Sequence, residues 1–168
     1  MGFYYNFLKQ DFNDLKNGLF KNIIKVGKWL LIIIIFQLLS VTAISSFLTN
    51  GLNSSNEVAI MQLPMYLLIF KTMMFSVTVE ELIFKKTVRN IIDNNILFIV
   101  ISSLLYGFAN VIFTKIGSAI ILMEAIPYIV ISVITGILYI KSNNLGLVML
   151  VKFTYNIIPL MVVIMGVK

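Results

Sequence analysis

Apolar residues in this chain come in long runs separated by short polar turns, and the run lengths are those of bilayer-crossing helices. A transmembrane helix needs about 20 mostly apolar residues. Five stretches reach that scale: Trp29–Leu48, Val58–Phe84, Ile96–Phe113, Ser118–Ile140 and Leu145–Val167. The turn formers lie between them, notably Asn90–Asn95, with Asp93 inside it, and Lys141–Asn144. Residues 1–28 follow another rule. Phe3, Phe7, Leu8, Phe12, Leu15, Leu19 and Ile23 recur at spacings of three or four, with Asp11, Asp14 and Lys16 between them. That is the pattern of an amphipathic helix. Such a helix lies at a membrane surface with its aromatic stripe among acyl chains, or packs the same stripe on the bundle; the pattern serves both. The first apolar run exceeds a signal-peptide core of about 7–15 residues and follows a charged stretch, so it is expected to remain as an anchor.

Composition agrees with the pattern. The chain of 168 residues is 60% hydrophobic and 12% charged, against about 25% charged in soluble proteins. The expected fold is an all-α integral membrane protein. An amphipathic cytoplasmic-surface helix covers residues 1–28, and a transmembrane bundle of five helices covers 29–168. There is no Cys and no His. A disulfide framework and a thiolate metal site are thereby excluded, and the commonest metal ligand and general base is missing.

The net charge of +6 follows topology rather than nucleic acid, because the basic residues gather at the ends of apolar runs. Lys9, Lys16, Lys21, Lys25 and Lys28 precede the first run; Lys85, Lys86 and Arg89 follow the second; Lys141 follows the fourth. The alternate loops hold only Lys115 and Lys168, a ratio of nine to two. The positive-inside rule then places the N-terminus in the cytoplasm and the C-terminus outside, in a multi-pass protein of the cell membrane. The partner these charges imply is the lipid bilayer, not nucleic acid.

Two adjacent carboxylates, Glu80 and Glu81, sit near the end of the second run. Ionisable groups at membrane depth cost about 2.5–3.5 kcal/mol each on insertion scales, so they are kept for a partner or a task. Glu80 lies fifteen residues before Asn95 and Asn110 fifteen after it. At about 1.5 Å per residue, antiparallel helices carry both side chains to one depth. Asn156 lies at a similar distance beyond the Lys141–Asn144 turn, and Lys152 is one helical turn before it on the same face. Glu80, Asn110, Lys152 and Asn156 are thus able to converge.

Glu80-Glu81-Leu-Ile-Phe-Lys85 resembles the EExxxR motif of CPBP proteins, the CAAX-protease and bacteriocin-processing family, also called Abi proteins. Ser102-Ser-Leu-Leu-Tyr-Gly-Phe-Ala-Asn110 resembles that family's second motif, and Lys152-Phe-Thr-Tyr-Asn156 stands in the place of the third, HxxxN. The resemblance covers residues 58–167. It implies a membrane-embedded endopeptidase in which glutamate and histidines activate water, with or without a metal, and an asparagine assists the oxyanion. Carried over by position, Glu80 is the base, Glu81 its neighbour and Asn156 the donor. Asn110 and Lys152 occupy the two histidine positions, and Lys85 replaces the arginine. An asparagine neither takes nor gives a proton, and it does not replace imidazole on zinc. No metal or cofactor is therefore expected.

The residues also have structural readings. Glu81 is expected to pair with Lys85, four residues on, or with Arg89, fixing the helix end. Glu80 and Lys152 read as a buried ion pair, and Asn110 and Asn156 as interhelical hydrogen-bond glue. Lys71 snorkels or meets Glu124, Pro127 kinks its helix and opens a small cavity, and the methionines are packing or lipid-facing residues. Three functions compete. The first, which the resemblance implies, is a catalytically impaired protease homologue acting by binding a membrane protein or a peptide such as a bacteriocin, for example in bacteriocin self-immunity. The second is an active glutamate-dependent intramembrane endopeptidase. The third is a small transport or channel subunit.

Overall fold

A computed structural model describes residues 2–47, 64–111 and 118–165, and among these every regular element is helical. In chain order they are α1 (Gly2–Asn17), α2 (Leu19–Phe47), α3 (Met65–Ile69), two π-helical segments π1 (Phe70–Glu80) and π2 (Leu82–Thr87), α4 (Val88–Ile91), α5 (Asn95–Val111), α6 (Ser118–Ser142) and α7 (Leu145–Ile164). The expected loop 50–57, the first residues of the second run, Lys115 and Lys168 lie outside the described residues.

Local chemistry sets the boundaries. Asn94 Oδ1 accepts from the Ile96 and Leu97 N–H groups at 2.9 and 3.1 Å, capping α5. Asn144 Oδ1 accepts from Leu147 N–H at 2.8 Å and caps α7 in the same way. Asn143, with φ of 48°, takes the left-handed conformation that ends α6. Its N–H returns to Tyr139 O at 2.8 Å, as at many helix C-termini. Arg89 Nη1 donates to Ile92 O and Asp93 O at 3.3 and 2.8 Å and so closes the end of α4.

The amphipathic segment differs from expectation. Residues 2–28 are not one helix: Gly18 separates α1 from α2, and α2 runs from Leu19 straight into the first apolar run. Asn22 Nδ2 reaches back to Leu15 O at 3.0 Å across the break. Of the two packing options for α1, its inner side takes the bundle. Leu15 and Asp11 are buried, and Phe7 and Leu8 pack against the core. Asp11 Oδ2 accepts from the Leu145 and Gly146 N–H groups at 2.7 and 3.4 Å, and Asp11 O accepts from Asn144 Nδ2 at 3.1 Å. One helix thus supplies a cap to the start of another.

α5 and α6 pair closely, α2 lies against α6 and α7, π1 packs on α7, and α1 crosses the start of α7. At the α5–α6 crossing, a Cβ on Gly107 would overlap Ile129 Cγ1, so only glycine permits that approach. The close-packed core sits at the end of the bundle that carries the Asn94 and Asn144 turns. It gathers Leu15, Val88, Phe98, Leu138, Tyr139, Leu145 and Val148, with Phe98 and Tyr139 rings 6.0 Å apart. Met149 is buried there, whereas Met65, Met74, Met161 and Met165 face outward.

The exterior is apolar. Leu31, Ile35, Leu38 and Leu39 on α2, Phe70 and Phe75 on π1, and Leu97, Leu104 and Leu105 on α5 are all exposed. Exposed apolar area on this scale marks a lipid- or protein-covered surface. Among the described residues two helices are long and apolar enough to cross a membrane, Phe20–Ile44 and Leu122–Ser142, and Asn95–Val111 and Leu145–Met161 are shorter apolar helices.

Candidate functional site

Opposite the packed end, the helices part around a cavity of about 450 Å³. Val41 and Ile44 of α2, Leu68 of α3, Met123 of α6 and Leu160 of α7 give it apolar walls. Pro127 and Pro159 line it as well. Each proline removes the N–H that the carbonyl four residues earlier would accept in a regular helix. Glu80, Asn110, Lys152 and Asn156 all lie in its wall, and Glu81 is just behind it.

Lys152 is the hub. Its Nζ donates to Glu81 Oε1 at 2.8 Å and to Glu80 Oε2 at 3.1 Å, and it lies 4.4 Å from the centroid of the Tyr106 ring. Two carboxylates and an aromatic face thus surround an ammonium that carries three N–H donors and is almost wholly buried. Ser76 Oγ donates to the same Glu80 Oε2 at 2.8 Å. Tyr106 is itself held by Phe84, edge to face at 5.5 Å. Glu81 is 2% exposed, and its Oε2 has no hydrogen-bond partner among the described residues. Glu80 differs, because its side chain keeps 13% exposure, directed to the cavity it lines.

The expected Glu81–Lys85 and Glu81–Arg89 pairs are not formed. Glu81 turns to Lys152, and Arg89 is engaged by the carbonyls of the turn. Lys85 is fully buried and ties π2 to α6: its Nζ donates to Ser132 O and Ser132 Oγ, both at 2.7 Å. Gly136 lies beside it, and an added Cβ there would meet Nζ at an ordinary contact distance of 3.6 Å.

The two asparagines play different parts. Asn156 Nδ2 donates across the helix interface to Thr72 O at 2.8 Å. Asn110 Nδ2 donates to Tyr106 O, 2.9 Å away on its own helix. Lys71 and Glu124 both line the cavity. Ser76, Ser132 and Tyr106 were not expected as participants. Ser76 and Tyr106 each stand four residues before an expected site residue, a usable signal; Ser132 has none.

A zinc ion does not fit this donor set. The position between the carboxylates is taken by an ammonium, and the amides of Asn110 and Asn156 turn their nitrogens to carbonyls.

The sequence profile of type II CAAX prenyl endopeptidase Rce1-like proteins matches residues 61–158, a stretch that contains the whole constellation from Ser76 to Asn156. No curated protein and no solved structure matches the chain. With the motif residues in order along the matched helices and gathered at one cavity, the chain belongs to the Rce1-like CAAX-protease family of membrane proteins, within the wider CPBP group.

Proposed function

We propose that this chain is a binding protein on a protease fold: a catalytically impaired homologue that holds another membrane protein or a membrane-active peptide, with bacteriocin self-immunity as its setting. The observation that carries this reading is the position of Lys152, held between Glu80, the base by family position, and its neighbour Glu81. Peptide hydrolysis needs a base for water, an acid for the leaving amine and a donor for the oxyanion. Here Glu80 Oε2 is engaged by Lys152 and Ser76, and one amide N–H of Asn156 is engaged by Thr72 O. No imidazole exists in the chain to take over either proton transfer. The cavity itself persists, with apolar walls and a few polar edges, at a size suited to a short peptide segment.

In the same reading the protein is a five-helix, multi-pass bundle of the cell membrane, with the N-terminus and the Lys85–Asn95 turn cytoplasmic and the C-terminus outside. The nine-to-two distribution of basic residues supports that orientation.

Filling the cavity tests the binding role. Ile44→Trp, from the buried side of α2, should abolish the protection that the native chain gives a sensitive host against a membrane-active bacteriocin, at equal membrane abundance. Undiminished protection would remove the cavity from the function. The alternative, an active glutamate-dependent endopeptidase, is favoured by one observation: Glu80 lines the cavity, where a substrate carbonyl would lie.

A further inference from the structure

We infer that the outer face of α1, continued by the first turns of α2, docks on anionic phospholipid headgroups. On a helix advancing about 100° per residue, Asp11, Leu15, Phe7 and Leu8 fall on one side of α1, the side buried on α7 and the core. Tyr5, Lys9, Phe12 and Lys16 fall within a sector of about 60° facing away, and all four are exposed. Beyond the Gly18 break, Phe20, Ile23 and Ile24 are exposed beside Lys21, Lys25 and Lys28, which are exposed too.

The outward surface therefore alternates aromatic and branched apolar side chains with five ammoniums, and Asp14 is the one exposed carboxylate among residues 5–28. Asp11 is withdrawn into the cap of α7. Rings that sit at headgroup level and lysines that reach past them to phosphates are the pairing expected of a bilayer interface. The charge ratio selects anionic lipids over zwitterionic ones. Each basic residue held near an anionic leaflet strengthens binding to it on the order of fivefold. The surface is built rather than loose, because Asp11 and Asn144 pin the inner face of α1 while the outer face meets the lipid.

The test uses the full chain in lipid nanodiscs, with Asn13→Cys as the single thiol carrying an environment-sensitive fluorophore; the native sequence has no cysteine to interfere. Bromine-labelled phosphatidylglycerol and bromine-labelled phosphatidylcholine are compared as quenchers at equal mole fraction. At low salt the anionic lipid should quench several-fold more strongly. That preference should vanish in the Lys9→Gln/Lys16→Gln/Lys21→Gln variant, and in the unaltered lysine background at about 1 M salt, where the screening length is about 3 Å. Should the variant fail to fold, the salt comparison decides alone. Equal quenching by the two lipids at low salt overturns the inference. So does quenching by neither, which would assign this face to a protein partner, and so does a preference that survives loss of the lysines.

Discussion

Lys152 and Glu81, 71 positions apart in sequence, hold each other at 2.8 Å in the buried centre of the bundle. Glu80 reaches the same ammonium from the cavity side at 3.1 Å. A buried ion pair broken on one side costs about 3–5 kcal/mol, because the surviving charge is left without a partner. Removing Lys152 strands two adjacent carboxylates, so Lys152→Met should destabilise more than Glu81→Gln, and Glu81→Gln more than the partly accessible Glu80→Gln. Adding Glu80→Gln and Glu81→Gln to Lys152→Met should recover much of the loss. Unfolding of the detergent-solubilised variants measures the order, and strict additivity would contradict the shared contact.

The pairing of Glu80 with Lys152 was legible because helical rise converts sequence distance into depth, and the two turns that set the count are marked by Asn94 and Asn144. The starts of α5 and α7 were legible too, because capping asparagines, Asn94 and Asn144, stand just before those apolar runs. The partner of Glu81 was not legible. The four-residue spacing that points it at Lys85 assumes α-helical periodicity, whereas the chain from Leu82 to Thr87 is π-helical and shifts that register. Lys85 instead finds Ser132, a residue that nothing along the sequence connects to it. The split at Gly18 was also missed, since apolar residues keep a helical spacing across it.

The crossing of α5 and α6 should respond sharply to glycine replacement at one position and weakly at another. Gly107→Ala places its Cβ against Ile129 and should cost about 1–3 kcal/mol, as overpacked sites do. Gly136→Ala meets Lys85, Ile99 and Phe98 only at ordinary contact distances of 3.6–3.9 Å and should be nearly neutral. Thermal melts of the two variants in one detergent provide the comparison.

Asp11 ties α1 to the start of α7, and its titration should be visible. Burial raises its carboxyl above the usual 3.8, outweighing the Leu145 and Gly146 N–H groups and Lys86, which act the other way. The group's contribution is then fully present below the unfolded value and is lost as pH rises through the raised folded value. Relative to Asp11→Asn, which has no charge to gain, the native chain should lose stability as pH rises above the ordinary carboxyl value of 3.8. Asp11→Ala removes the side-chain acceptor entirely and should cost about 0.5–2 kcal/mol, as lost helix caps do. Denaturation series at several pH values check both statements; a pH-independent difference between native and Asp11→Asn would contradict the first.

Membrane orientation follows from basic residues and is open to a direct check. Single-cysteine variants at Asn90 and Asn143 should be labelled by an impermeant reagent only from the cytoplasmic side, since both lie at the turns flanked by Lys85, Lys86, Arg89 and Lys141. Labelling of Asn90→Cys from outside intact cells would reverse the topology.

The most direct measurement is Glu80→Gln, assayed for both bacteriocin protection and peptide cleavage at matched membrane abundance. Glutamine keeps the size of the side chain and a carbonyl oxygen for Lys152 and Ser76, but it cannot accept a proton from water. A chain that acts by binding should show no cleavage in either form and keep its protection. A working protease would lose about 10²–10⁴-fold in cleavage with the loss of its base. Cleavage by the native chain that disappears in a normally folded Glu80→Gln variant would contradict the binding role and make Glu80, with Lys152 and Asn156 beside it, a functioning catalytic site.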